Sequence, residues 1–297
     1  MSKVAIFWDP KGFELDSLGS KRYLRATDGD TPYVSVSIRM LSIDTPEVHY
    51  PGNAKPSKQD NNLAQLAEWM QAGQAPIDDD TAEYLRPRLV TGEAGTLQEE
   101  QGRQATEAFQ ALMEEKLTKP NSSRKRSVYI HVADQPFDQY GRLLAYMAPN
   151  YSAKERAEMT RHERATFNLL MVENGWAASF PIYPSLPRHG DLVLLRQVGM
   201  EAMRDRRGIW ANPLVTLTGY EFRMCVRLHK ITAKLVNGQK LSSTERYSWI
   251  YRFCVDMITR EIHYPQDYYK VAPFNRIFIW PEDVTEAVGV LNLLPAA

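Results

Sequence analysis

The stretch "YVSVSIRM" (residues 33–40), followed at once by "LSIDTPE" (41–47), constrains the fold more than any other segment. Val34, Val36, Ile38 and Met40 alternate with Ser35, Ser37 and Arg39, which is the period of a half-buried strand. Arg39 is therefore expected on the face opposite the apolar one. The strand runs into Asp44 and Glu47 around Pro46, where a ladder cannot continue. A charged strand residue followed by two carboxylates at the strand's end is costly unless something compensates the charges.

The rest of the chain divides around this segment. Residues 51–100 are polar and rich in Pro and Gly, with one helix expected at 60–72 (Leu63, Leu66, Ala67, Met70), and read as an insertion. A helix at about 98–117 follows, then two strands, "SVYIHVAD" and "RLLAYMAP", joined by "QPFDQYG". "ERATFNLLMVENGWA" and "LVLLRQVGMEAMRDRRGIW" predict two helices, the first stopped by Asn174-Gly175. A boundary is expected after Trp210, giving domains 1–211 and 212–297, the second a small α+β extension. In it "YEFRMCVRL" alternates as a strand, with Phe222, Met224, Val226 and Leu228 on one face and Arg223, Cys225 and Arg227 on the other. Ser242 and Glu245 form a capping box before a helix carrying Tyr247, Ile250, Tyr251, Cys254, Val255 and Ile258 on one side.

With 36 basic and 36 acidic residues the formal net charge is zero, so a polyanion would have to be met by local charge. Residues 77–100 hold seven acids against Arg86 and Arg88, and this acidic part is expected to stay out of any phosphate groove. Residues 220–276 hold ten Lys/Arg against five acids, which suits a solvated face or a dimer or partner contact better than a nucleic-acid track. Cys225 and Cys254 are the only cysteines, too few for a disulfide framework. No apolar run spans a bilayer, and "MSKVAIFWDPKGFELD" lacks the pattern of a secretory signal, so a cytoplasmic protein without membrane contact is expected.

Three stretches gather chemistry: "TDGDT" (27–31), "IRMLSIDTPE" (38–47) and "DQYGRLLAY" (138–146). Each alone is an ordinary turn or loop signal. Together they supply Asp28, Asp30, Asp44 and Glu47 as hard oxygen donors, and Arg39 and Arg142 as guanidiniums. Carboxylates at loop ends suit a cation such as Ca²⁺, arginines bind phosphate bidentately, and a carboxylate beside the metal can deprotonate water.

In this order, "DGDT", "R-x-x-x-x-DTPE" and "D-x-YGR-x-LAY", followed by "NLLMVENGWA" and a helix ending "RDRRGIW", resemble the staphylococcal nuclease (thermonuclease) family, from about Tyr23 to Trp210. The resemblance implies an α+β fold, a five-stranded OB-type barrel with three helices, here with a long insertion after the third strand. It implies a calcium-dependent nuclease acting on DNA or RNA and leaving 3′-phosphates. Asp30 and Asp44 would be metal carboxylates, Thr45 a carbonyl ligand, Glu47 the residue that handles water, and Arg39 and Arg142 the phosphate clamp. Asp28 would stand behind the metal ligands and Tyr140 beside the nucleotide. Phe180 and Tyr183 suit base stacking or core packing. Only eight residues separate Asp30 from Arg39, so the hairpin carrying the first acids is short. A catalytically weak or inactive nuclease-like module binding nucleic acid or protein is the alternative. On either reading, a protein partner or self-association would run through 51–100 or 212–297.

Overall fold

The computed structural model describes residues 20–49, 54–120 and 122–295. The amino-terminal stretch read for a signal, and Pro51 at the start of the insertion, lie outside the described residues. In chain order the elements are β1 (Tyr23–Ala26), β2 (Pro32–Val34), β3 (Ile38–Met40), β4 (Ile43–Asp44), α1 (Asp60–Gln71), α2 (Asp79–Leu89), α3 (Ala94–Leu117), β5 (Val128–Phe137) and β6 (Leu143–Pro149). There follow α4 (Ala153–Glu158), α5 (Phe167–Glu173), β7 (Ala178–Ser179), α6 (His189–Arg204), α7 (Gly219–Val236), α8 (Ser243–Tyr247), β8 (Phe253–Asp256), β9 (Glu261–His263), β10 (Arg276–Ile279), α9 (Val284–Leu291) and β11 (Leu294–Pro295). The strands pair as β1-β2, β3-β6-β5, β4-β7 and β10-β8-β9-β11. No helix of the described residues is long and apolar enough to cross a membrane.

The described residues form two compact units, one from within 1–39 and 132–145, the other from within 40–131 and 146–297. In the first, "YVSVSIRM" is two short strands and not one. β2 closes an antiparallel hairpin with β1, the Thr27 N–H donating to the Thr31 carbonyl at 3.1 Å, and residues 35–37 break the run before β3. The valines of this stretch stay exposed, so alternation had no core to enforce a continuous strand.

In the second unit, helices of the insertion and of the carboxyl-terminal region share one core. Leu63, Leu66 and Met70 of α1 and Leu85 and Leu89 of α2 cluster with Phe222, Met224, Cys225, Val226 and Leu228 of α7. The insertion is thus largely helical and packs against residues beyond Trp210. Asp60 ties α1 to α3 as a cap in trans: its Oδ1 accepts from the Gly95 and Thr96 N–H groups at 2.7 and 2.9 Å.

Two elements differ from the sequence expectation. "YEFRMCVRL" is helical, not a strand: Thr218 and Glu221 cap each other, the Thr218 Oγ1 accepting from the Glu221 N–H at 3.2 Å while the Glu221 carboxylate accepts from the Thr218 N–H at 2.9 Å. The helix is buried on most sides, so its apolar residues do not reveal their 3.6 period, and what looked like alternation is incidental. The helix expected after Ser242 starts at its capping box but stops at Tyr247, and Cys254 and Val255 fall on a central strand, pairing with Phe278 and Ile262. Cys254 faces one core and Val255 another. A strand covered on both faces carries a continuous apolar run, which helical spacing imitates. Both cysteines are buried and free, and burial pushes the Cys254 thiol up to about 12.

Candidate active site

Asp44 is the last residue of β4, paired with Ala178 of β7. The turn before it is fixed from three sides. The Asn168 amide donates to the Leu41 carbonyl at 2.8 Å, Ser42 Oγ and the Tyr146 hydroxyl lie 2.6 Å apart, and the Phe180 N–H donates to the Ser42 carbonyl at 2.8 Å. These contacts turn the chain so that Asp44 enters the interior, where it is fully buried.

The segment from Thr45 to Glu47 lies between two helices, and a glycine permits each approach. A Cβ on Gly102 of α3 would stand 2.9 Å from the Glu47 carbonyl oxygen. One on Gly219, the first residue of α7, would overlap the Thr45 carbonyl oxygen and stand 2.7 Å from Asp44 Oδ2. Gln98 of α3 completes the clamp: with its amide oxygen toward this segment it accepts from the Glu47 N–H at 2.9 Å, and its nitrogen donates to the Leu217 carbonyl at 3.1 Å.

Arg223, one turn into α7, meets both acids. Its Nη2 donates to Asp44 Oδ1 at 3.0 Å and its Nη1 to Glu47 Oε1. The Arg223 side chain is 27% exposed and that of Glu47 25%, against none for Asp44. Burial opposes the charge on Arg223, but the two carboxylates outweigh it and hold its pKa above the ordinary arginine value. Arg252 lies in the same field. Burial pulls its pKa down and Arg223 adds to that, while Asp44 among others acts the other way. Its guanidinium lies 4.1 Å from the Trp280 ring centre, and among the described residues no carboxylate pairs with it.

In the other unit, Arg142 is held by Asp138. Arg142 Nε donates to Asp138 Oδ2 at 2.7 Å, and Asp138 Oδ1 accepts from the backbone N–H groups of Tyr140 and Arg142 at 2.9 and 3.0 Å. Burial works to raise the Asp138 pKa, but these bonds from Arg142 and Tyr140 prevail and lower it. Tyr140 is 70% exposed, with the Arg142 guanidinium 5.3 Å from its ring centre, so the pair forms an accessible cation-aromatic corner. Arg39 stands on β3, half-buried. Asp28 and Asp30 occupy the exposed tip of the β1-β2 hairpin, where Thr31 Oγ1 donates to Asp30 Oδ1 at 3.2 Å. Hydrogen bonds with Thr31 and Asp30 lower the Asp28 pKa.

The structure thus brings Asp44, Thr45 and Glu47 together in one unit, and assigns Asp28, Asp30, Arg39, Tyr140 and Arg142 to the other. Of the two roles open to Tyr183 and Phe180, base stacking or core packing, the structure has them in core positions. Tyr183 is 6% exposed and packed in a core with Val255, Ile277 and Ile279, and Phe180 is likewise core. Burial, with Glu286 beside it, raises the Tyr183 pKa. Sequence reasoning missed Arg223 and the role of Asp138. For Asp138 the Asx-turn spacing of "DQYGR" was a usable signal, and for Arg223 it was the Thr218-Glu221 capping box, which makes Arg223 and Arg227 neighbours on a helix.

Calcium takes six to eight oxygen ligands. Among the described residues no group of three or more His, Cys, Asp or Glu side chains could hold a metal ion. In this unit the donors at hand are two carboxylates already bonded by Arg223 and the Thr45 carbonyl covered by Gly219. As folded, this set does not fit a bound Ca²⁺.

A family model described as staphylococcal nuclease homologue matches residues 37–212. The matched span includes Arg39, Asp44, Thr45, Glu47, Asp138, Tyr140, Arg142 and Tyr183. Asp28 and Asp30 precede it, and Arg223 and Arg252 follow it. No curated protein matches the chain.

Proposed function

The chain belongs to the staphylococcal nuclease homologue family, and from that premise we propose that it is a phosphodiesterase acting on DNA or RNA in the cytoplasm. The observation that carries the reading is the convergence of Asp44 and Glu47, two acids of one "DTPE" motif, on a single cationic group. A second support is the two-point hold of Asp138 on Arg142, which fixes a guanidinium beside an exposed tyrosine. The fold belonging to this reading is the family's five-stranded OB-type barrel with three helices, elaborated by the helices of the insertion and by residues 212–297.

In this proposal Arg142 and Arg39 take the phosphate-clamping role that the resemblance implies for them, their paired N–H donors suited to the charge that develops as water adds to phosphorus. Glu47 accepts a hydrogen bond from the attacking water and takes its proton. The P–O bond to the 5′ oxygen of the next nucleotide breaks, leaving a 3′-phosphate. Tyr140 offers its exposed ring to the sugar or base beside Arg142. Ca²⁺ is the cation the resemblance implies, and the dependence on it belongs to the test.

The test incubates 5′-labelled DNA and RNA oligonucleotides, single- and double-stranded, with the full chain in Ca²⁺, Mn²⁺, Mg²⁺ or chelator, and identifies the new ends. Internal cleavage leaving 3′-phosphates, lost in Arg142→Ala, is the expected result. An absence of cleavage under every condition overturns the proposal.

A further inference from the structure

We propose that Arg223 takes the place of a cation between Asp44 and Glu47, so that a divalent metal and helix α7 compete for the same two carboxylates. This rests on the functional reading above only in taking Asp44 and Glu47 as the acids of the site.

Geometry is the first argument. One planar guanidinium spans two carboxylates three residues apart, giving a separate N–H donor to each. A metal ion bound by both would occupy the same gap. The Thr45 carbonyl, the remaining oxygen of the expected ligand set, is covered by the first residue of α7. Metal entry at all three oxygens therefore requires this end of α7 to withdraw.

Charge is the second argument. Asp44 and Glu47 carry two negative charges, and Arg223 on the pair, with Arg252 in the same field, carries two positive. Both acids already share one guanidinium, and a divalent cation added without displacing Arg223 would set two more positive charges beside it in a largely buried place. Asp44 itself has no exposure through which water could screen that excess. The first residue of α7 also lies against Asp44, within the turn where the helix dipole favours a negative charge.

The third argument is what holds Arg223 there. α7 is anchored by the core it shares with α1 and α2 and by the capping box at Thr218 and Glu221. Glu221 also accepts from the Tyr84 hydroxyl of α2 at 3.0 Å and pairs with the buried Arg276 at 3.4 Å. The insertion and the carboxyl-terminal region thus act together to set a guanidinium on the acid pair. Arg223 is a positioning residue in this arrangement, and its removal takes away the guanidinium that stands between the two carboxylates.

Calorimetric titration of Ca²⁺ into the full chain and into Arg223→Met tests this directly. The variant is expected to bind one Ca²⁺ at least about tenfold more tightly than the parent, since one opposing charge and its hydrogen bonds to both carboxylates are gone. Adding Asp44→Asn to the variant should abolish the gain. Equal affinity in parent and variant overturns the proposal, as does a gain that survives Asp44→Asn. If Arg223→Met folds only with Ca²⁺ present, that dependence is itself the expected competition. If it folds under neither condition, Arg223→Lys carries the test: its single ammonium cannot span both acids, so a smaller gain is expected, and no gain overturns the proposal. Cleavage is not the readout, so failure here leaves the phosphodiesterase reading standing, and absence of cleavage leaves the cation competition standing.

Discussion

Replacing Gly219 by Ala asks whether α7 is seated on the acid pair as closely as the structure has it. The added Cβ would stand 2.7 Å from Asp44 Oδ2, overlap the Thr45 carbonyl oxygen and lie 3.1 Å from Arg223 Nη1. Non-bonded heavy atoms settle near 3.5 Å, so the first turn of α7 must retreat by something on the order of 1 Å. On its own, Gly to Ala in a helix stabilises by about 0.5–1 kcal/mol. Overpacking of this kind costs about 1–3 kcal/mol, and stretching the Arg223–Asp44 bond adds to it. The net expectation is a loss of about 1–2 kcal/mol. Gly289, inside α9, supplies the control: nothing lies within 4 Å of a Cβ built there, so Gly289→Ala should gain up to about 1 kcal/mol. Urea unfolding followed by far-UV circular dichroism, with both variants measured beside the parent, gives the two signs. If Gly219→Ala matches or exceeds the parent while Gly289→Ala behaves as stated, the close seating of α7 on Thr45 and Asp44 is refuted.

Three further outcomes follow from the same contacts. Glu221→Ala removes the α7 capping box and leaves the buried Arg276 without its carboxylate, so it should cost about 3–5 kcal/mol in urea unfolding; a loss below about 1 kcal/mol would contradict the pairing. Asp138→Asn should weaken the hold on Arg142 and lower cleavage by roughly tenfold, with Arg142→Ala lowering it by about 10²-fold or more; equal effects would mean that Asp138 does more than position. Backbone hydrogen bonding to Ser152, with Arg126 beside it, lowers the Glu155 pKa from 4.5 to about 2. A lowered carboxylate stabilises the fold above its unfolded pKa and loses that contribution as pH falls through the folded one, so α4 should loosen between pH 4.5 and about 2. Amide exchange at Ser152 and Glu155 checks this.

Much of this arrangement was readable because its signals are local. "DTPE" at a strand end, the Asx turn at Asp138, the glycine stop after Asn174 and the capping boxes each involve residues within five positions of one another. Arg223 was not readable, because its partners Asp44 and Glu47 lie 179 and 176 residues away. What brings them together is a core assembled from the insertion and α7. In that core the buried faces of α7 erased the periodicity that marks a surface helix, and the strand reading of 220–228 put Arg223 on an exposed face. Tyr183 was left between two roles for a related reason: an aromatic after a helix stop is stacked on a base or buried according to what packs on it, and β8, β10 and α9 come later in the chain. Asp28 and Asp30 were placed correctly on a short turn, but an exposed hairpin tip carries no information about which other acids it accompanies.

The most direct measurement is the single-turnover cleavage rate of a labelled oligonucleotide by Glu47→Gln against the parent, with affinity for the uncleaved strand measured alongside. The variant keeps the volume of the side chain and a hydrogen-bonding oxygen for Arg223, but loses the base that takes a proton from water. The rate should fall by about 10²-fold or more while affinity stays within a fewfold. A variant that cleaves at the parent rate would contradict the assignment of Glu47, and with it the claim that the acid pair under α7 is the reactive centre of this protein.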